Sequence, residues 1–215
     1  MILEYSEKEK TRALYEQAFD DPKEFVDYYY DEKCRDNRII VSLEDGEVIS
    51  MLHLNPYNVN LCGTVVPSYY VVAVATRNDR RREGQMARVF EKTLELLKAQ
   101  HIPFVFLLPV DEAIYSWMGF EKICDFSVDR IADYEKIQKS YDIYCERDED
   151  YLRRMRKEDA LRAQDNGEVL PKDPVIMAKI TDLEAFNRAL GMSFSDEKQA
   201  LDWMKKQRIY ICEEV

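Results

Sequence analysis

Nine consecutive residues hold the densest positive charge in an otherwise acidic chain: Thr76-Arg77-Asn78-Asp79-Arg80-Arg81-Arg82-Glu83-Gly84. They join a valine-rich apolar run, Tyr69–Ala75, to a segment in which Met86, Phe90, Leu94 and Leu97 recur at the 3.6-residue spacing of one helix face. A turn leading from a strand into a helix presents free backbone N–H groups at the helix N-terminus, and the helix dipole adds favourable potential there. The chemistry this suits is the binding of a local, non-polymeric anion. A second fully apolar run, Phe104–Leu108, completes a βαβ unit of ordinary length, whose two strands are expected to be parallel.

The rest of the chain narrows what that anion is. Lys and Arg number 31 against 42 Asp and Glu, for a net charge of −11. Such a surface repels nucleic acid and anionic membrane, so neither is expected as a partner. Residues 1–76 carry 7 basic and 14 acidic side chains, a balance that suits a cationic acceptor. No apolar run approaches the length of a membrane span, and Met1–Lys10 lacks the apolar core of a signal peptide. A cytoplasmic globular protein is therefore expected. Cys34, Cys62, Cys124, Cys145 and Cys212 are scattered, form no CxxC and accompany only His53 and His101. They predict buried free thiols and no metal centre.

Elements on both sides must position the turn. Ser6 opens a helix, with Glu9 completing a capping box, and a second helix starts at Asp21-Pro22 and runs through Tyr28-Tyr29-Tyr30. Arg38–Leu43 and Glu47–Asn55 form a hairpin around Asp45-Gly46, and Pro56 ends that pairing. Gly63 marks another turn. After the βαβ unit come a short helix at Asp111–Trp117, stopped by Gly119, and a strand at Phe120–Val128. Asp148–Gln164 is a charged helix, and the polar stretch Asp165–Asp173 is the best boundary. The tail predicts a strand at Val175–Ile180, a helix capped at Thr181 or Asp182, a helix near Ser195–Lys205 and a strand at Arg208–Cys212.

Two phosphate-binding patterns do not fit the turn. A dinucleotide fingerprint needs GxGxxG, and a P-loop needs a Gly-Lys pair. Arg81-Arg82-Glu83-Gly84-Gln85-Met86 instead fits the first four positions of [RQ]-x-x-G-x-[GA]; Met86 replaces the final small residue. Val74-Ala75-Thr76 stands before it, and Ile114-Tyr115-x-x-Met118-Gly119-Phe120 comes downstream. With these motifs the chain resembles the GNAT N-acetyltransferase superfamily over roughly residues 1–130. Within it, the chain looks like the catalytic domain of the enhanced-intracellular-survival branch. One departure is Ala73, where that branch often has glycine in the strand that bulges toward the cofactor.

The resemblance implies an α/β (α+β) fold: a mixed, mostly antiparallel sheet with one splayed parallel pair and helices on both faces. It implies a catalytic domain over 1–130, a helical extension over 131–173 and a short partial unit over 174–215 that resembles the start of a sterol-carrier-like domain. An incomplete unit would expose apolar surface that a second copy of the chain would cover. The implied cofactor is acetyl-CoA. Its pyrophosphate would lie on the amides of Arg82, Glu83, Gly84, Gln85 and Met86, with Arg81 or Arg82 adding a charge-assisted contact. Its pantetheine would bond the end of the strand at Val74, Ala75 and Thr76. Tyr115 is the implied general acid, a phenol that donates to the leaving thiolate. Glu112, Asp111, His53 and a water chain are each open as the base. The expected activity is direct acetyl transfer to a primary amine, with a small cationic acceptor of aminoglycoside or polyamine type. A non-catalytic acyl-CoA sensor that keeps the fold is the alternative.

Overall fold

A computed structural model describes residues 1–128, 130–162 and 172–214. The described chain forms two compact units, to both of which the two long strands Glu47–Leu61 and Thr64–Thr76 contribute.

The first unit contains Met1–Pro56, Val71–Leu96 and the described residues 151–162. It opens with a 3-10 turn, Tyr5–Thr11, that runs into helix α1, Arg12–Ala18. The capping box expected at Ser6 and Glu9 is not formed: Glu4 precedes the turn, without a side-chain cap. Tertiary contacts override the local signal here. Lys8 is buried and donates to the carbonyls of Cys34 (2.7 Å) and Asn37 (2.5 Å), which pins the segment in the tighter winding. Helix α2, Lys23–Asp31, starts after Pro22 and buries Phe25, Val26, Tyr28, Tyr29 and Tyr30.

Strands β1 (Arg38–Glu44) and β2 (Glu47–Leu61) pair antiparallel around Asp45-Gly46, both with positive φ as a two-residue hairpin turn requires. That pairing ends at Leu54, yet β2 runs on through Pro56. Arg38, the first residue of β1, already faces Leu54, so the missing N–H of Pro56 breaks no bond to β1. Strand β3, Thr64–Thr76, returns after Cys62-Gly63. Helix α3, Gln85–Ala99, places Phe90 and Leu97 in the core as its periodicity predicts. The charged helix is α6, Glu149–Arg162.

The second unit contains Tyr57–Tyr70, Leu97–Asp150 and the described residues from 172 onward. Its elements are β4 (Phe104–Leu107), α4 (Ala113–Ser116), β5 (Glu121–Asp125), α5 (Tyr134–Ser140), β6 (Ile143–Cys145), β7 (Val175–Ile180), α7 (Leu183–Leu190), α8 (Glu197–Met204) and β8 (Ile209–Tyr210). With the ends of β2 and β3, the strand order is β5-β7-β4-β3-β2-β6-β8. The β3–β4 pairing is parallel, as expected, and ends at Tyr70↔Phe106 although both strands continue. A second parallel pair, β6–β8, has no signal in the sequence; nor have α5 and β6.

The tail contributes its strands to the sheet of this unit. Strand β7 lies between β4 and β5, antiparallel to each. Every residue of β7 except Lys179 is buried, as a strand with two neighbours requires. Asp182 and Asp196 cap α7 and α8 through the N–H groups of Ala185 and Gln199. Phe186 of α7 packs on Phe104, Phe194 and Trp203. The boundary expected at Asp165–Asp173 falls almost wholly outside the described residues.

Candidate functional site

In the first unit, β3 delivers the chain to the arginine-rich turn. Ala73 and Ala75 are buried, whereas Val72, Val74 and Thr76 are half-buried. Ala73 has φ +51°, a left-handed conformation within a strand. Left-handed residues within strands are typical of bulges, and the conformation costs an alanine about 1 kcal/mol. The strand end is fixed on β2. Ser50 Oγ donates to the carbonyl of Ala75 at 3.0 Å and lies 2.9 Å from Thr76 Oγ1, and the Arg77 N–H donates to the Ile49 carbonyl at 2.9 Å.

The turn sorts its arginines into two kinds. Arg77 grips Asp79 with two bonds of 2.7 and 2.6 Å, and Arg80 is held by Glu83 (2.9 Å) and by Glu44 at the end of β1. Arg81 and Arg82 are exposed and have no carboxylate partner among the described residues. The Arg81 Nε donates weakly to the Thr76 carbonyl at 3.4 Å. Arg82 and Gly84 both have positive φ, at +67° and +75°. Left-handed residues in such a turn can open a concave run of N–H groups that suits an anion.

Helix α3 begins directly afterwards. The N–H groups of Gln85, Met86 and Ala87 lie in its first turn, where no helical acceptor exists. The Arg88 N–H reaches the Gly84 carbonyl at 3.1 Å. Gln85 is buried, and its Oε1 accepts from Ser42 Oγ at 3.0 Å, which anchors the helix start to β1. A Cβ built on Gly84 would meet nothing within 4 Å, so open space stands over the glycine. Met86 is half-buried beside it. These residues fit a pyrophosphate: cations without a carboxylate partner among the described residues, first-turn donors and an uncovered glycine.

Tyr115 belongs to the second unit, on the single turn of α4. The carboxylate of Asp111 accepts from the Ala113 N–H at 2.9 Å, so this candidate base is engaged by the backbone at the start of α4. The Tyr115 ring is half-buried and meets Phe120 edge-on, 5.9 Å between centroids. Burial pushes its phenol up to about 12. Glu112 is exposed at the start of the same turn. His53 is fully buried in the first unit, stacked on Tyr29, with Nδ1 3.0 Å from the Tyr29 hydroxyl. Burial and then Lys8 drive its imidazole down to about 3, so it stays neutral and away from solvent. Tyr28, Tyr29 and Tyr30 are core residues.

A family model for the acetyltransferase (GNAT) domain matches residues 2–123, more than half of the chain. The chain belongs to the GNAT acetyltransferase family. Solved structures of low identity share the fold. A probable N-acyltransferase from Enterococcus faecalis V583 aligns with a TM-score of 0.68 at 14% identity, covering 88% of this chain and 74% of that one. A GCN5-related N-acetyltransferase from Kribbella flavida aligns at 0.55 with 11% identity, covering 88% and 73%. The Eis1 protein of Mycobacterium abscessus aligns at 0.51 with 14% identity, covering 77% of this chain and 48% of its own. No curated protein matches.

For this GNAT chain the motif points to Arg81, Arg82 and Gly84, but two supporting residues have no motif to reveal them. Glu44 neutralises Arg80 from a distant strand end. Lys179 of β7 lies against Gly119, its Nζ 2.9 Å from where a Cβ would stand. No helix among the described residues is long and apolar enough to cross a membrane, and no group of metal-ligating side chains occurs among them.

Proposed function

We propose that this GNAT protein is an acetyl-CoA-dependent N-acetyltransferase. It transfers the acetyl group directly to a primary amine on a small cationic acceptor of polyamine or aminoglycoside type. The observation that carries this reading is the sorting of the arginines: Arg77 and Arg80 are engaged by carboxylates, while Arg81 and Arg82, beside the uncovered Gly84, have no carboxylate partner among the described residues.

Acetyl-CoA supplies the acyl group already activated as a thioester. The amides of Arg82, Glu83, Gly84, Gln85 and Met86 bind its pyrophosphate, with Arg81 or Arg82 adding charge. The backbone of Val74, Ala75 and Thr76 offers strand-type hydrogen bonds to the pantetheine amides; β3 has no ladder with β4 beyond Tyr70. Tyr115 holds a proton at its hydroxyl. With the phenol near 12 and a thiol near ~8.5, full transfer is uphill by roughly 5 kcal/mol. Tyr115 therefore acts first as a hydrogen-bond donor to the departing sulfur. The cationic acceptor is favoured by exposed Asp20, Glu24, Asp31 and Asp45, which have no ion pair among the described residues. Asp27, Glu32 and Asp36 are already held by the chain's own cations and contribute less.

Calorimetric titration with acetyl-CoA tests the site, with NAD and 3′-dephospho-acetyl-CoA as controls. Micromolar binding without an NAD response is expected. Replacing Arg81 and Arg82 by Ala should weaken it about tenfold or more, since charge-assisted bonds contribute about 1.5–3 kcal/mol each, whereas Arg77→Ala should change it less than about twofold. Equal losses at Arg77 and Arg81 would sink the assignment. Mass spectrometry that finds only neutral or anionic acceptors acetylated would remove the cationic reading. Ala73 and Met86 depart from the family pattern and favour the sensor alternative; binding without turnover of any amine, with Tyr115→Phe silent, would establish it.

A further inference from the structure

Gly119 lies just past the turn that carries Tyr115, and the place its side chain would occupy is taken. A Cβ there would lie 2.9 Å from Lys179 Nζ, and φ is +83°. Lys179 is the one residue of β7 that is not buried, yet its side chain keeps only 13% of its exposure. Its ammonium folds over the glycine and is anchored 3.1 Å from the carboxylate of Glu197, the first residue of α8. The turn beneath it is tight: the Met118 N–H donates to the Tyr115 carbonyl and the Gly119 N–H to the Ser116 carbonyl, both at 3.0 Å. Phe120, the next residue, is buried and supports the Tyr115 ring. A second ion pair, Lys205 of the α8 end with Glu121, holds the first residue of β5 at 2.5 Å.

We infer that Lys179, braced by Glu197, is a positioning residue for Tyr115: its ammonium fills the space beside Gly119 and holds the Met118-Gly119-Phe120 turn that seats the Tyr115 ring. The inference rests on the reading of Tyr115 as the proton donor. Glu197 is half exposed, and a pair of that kind adds little to global stability. The contact is therefore better suited to fixing a local geometry, where small displacements of a reacting group cost much in rate. It also gives the tail strand β7 a part in the chemistry of a segment far from it in sequence.

The test compares wild type with Lys179→Ala, Lys179→Met, Glu197→Gln and Tyr115→Phe. Lys179→Met keeps most of the side-chain volume and guards against a packing defect. Two readouts are made: hydrogen exchange of residues 113–120, and acetyl transfer with spermidine and kanamycin as the amines. Lys179→Ala should speed exchange at 113–120 about tenfold and leave 85–99 unchanged. It should lower kcat about tenfold with KM for acetyl-CoA within about twofold. It should also move the basic limb of the kcat profile to lower pH, because a loosened turn rehydrates the phenol. Glu197→Gln should show the same pattern more weakly, and Lys179→Met should repeat the pH shift. Unchanged exchange at 113–120 overturns the inference whatever the rates do. A rate loss without a shift of the basic limb also overturns it, since that marks a structural role alone. If Tyr115→Phe keeps full kcat, the proton-donor reading fails and the inference falls with it; if Tyr115→Phe is slow but Lys179→Ala is not, only the inference fails.

Discussion

At the scale of single residues, the conformation of Ala73 is the feature most easily put to a measurement. Its φ of +51° places a Cβ where glycine would carry none. Ala73→Gly therefore relieves strain of about 1 kcal/mol, which offsets the entropy that a glycine gives up on folding. Ala75, two residues on, is buried but has no positive φ. There the same substitution has only the penalty and should cost about 1 kcal/mol. Urea unfolding should find Ala73→Gly neutral or stabilising and Ala75→Gly destabilising; equal losses at both would mean that Ala73 is not strained. The arginines show how far residue identity alone carries. Their number and the neighbouring glycine are legible in sequence. Which of them the carboxylates engage is not, because Glu44 reaches Arg80 only through the β1–β2 hairpin.

At the scale of elements, α6 shows a helix held by charge. Arg153 and Lys157 both pair with Glu32, Arg154 grips Asp36 at 2.9 Å, and the buried Glu158 sits 3.2 Å from Lys33 and accepts from the Tyr28 hydroxyl at 2.8 Å. Arg153 and then Lys157 hold the Glu32 carboxyl down to about 2. A carboxyl depressed in this way contributes stability above its unfolded value near 4.5, and that contribution is lost as pH falls toward 2. Salt screens the exposed pairs as well. The hydrogen-exchange protection of 151–162, corrected for the intrinsic rate at each pH, should therefore fall as pH drops from about 4.5 to about 2.5, and again from about 0.05 to about 1 M NaCl at neutral pH, before that of the β1–β2 hairpin does. Protection that falls in step across both elements would contradict it. Elements with strong local signals are legible: the hairpin at Asp45-Gly46, the periodic α3 and the apolar β7. The opening 3-10 turn is not, since burial of Lys8 decides it, and neither are α5 and β6, whose short segments lack a clear period.

At the scale of the whole molecule, sequence separation and spatial adjacency part company. The family pattern ends near Phe120, whereas the described second unit needs β7 to complete its sheet, because β4 and β5 each pair with it and not with each other. An additional unit after residue 173 is the natural inference from a polar stretch holding Gly167 and Pro171. Polar composition marks where a chain can loop, not whether it returns to the sheet it left.

The place of β7 also bears on how the chain is made. Phe104–Leu107 and Glu121–Asp125 leave the ribosome well before Val175–Ile180, so each waits with an open hydrogen-bonding edge while the intervening segment is still being translated. Long-range pairing of this kind is slow, and unpaired apolar edges in a nascent chain invite aggregation. Arrested ribosome complexes should stay protease-sensitive across 104–125 until residue 180 has cleared the exit tunnel and become protected only afterwards.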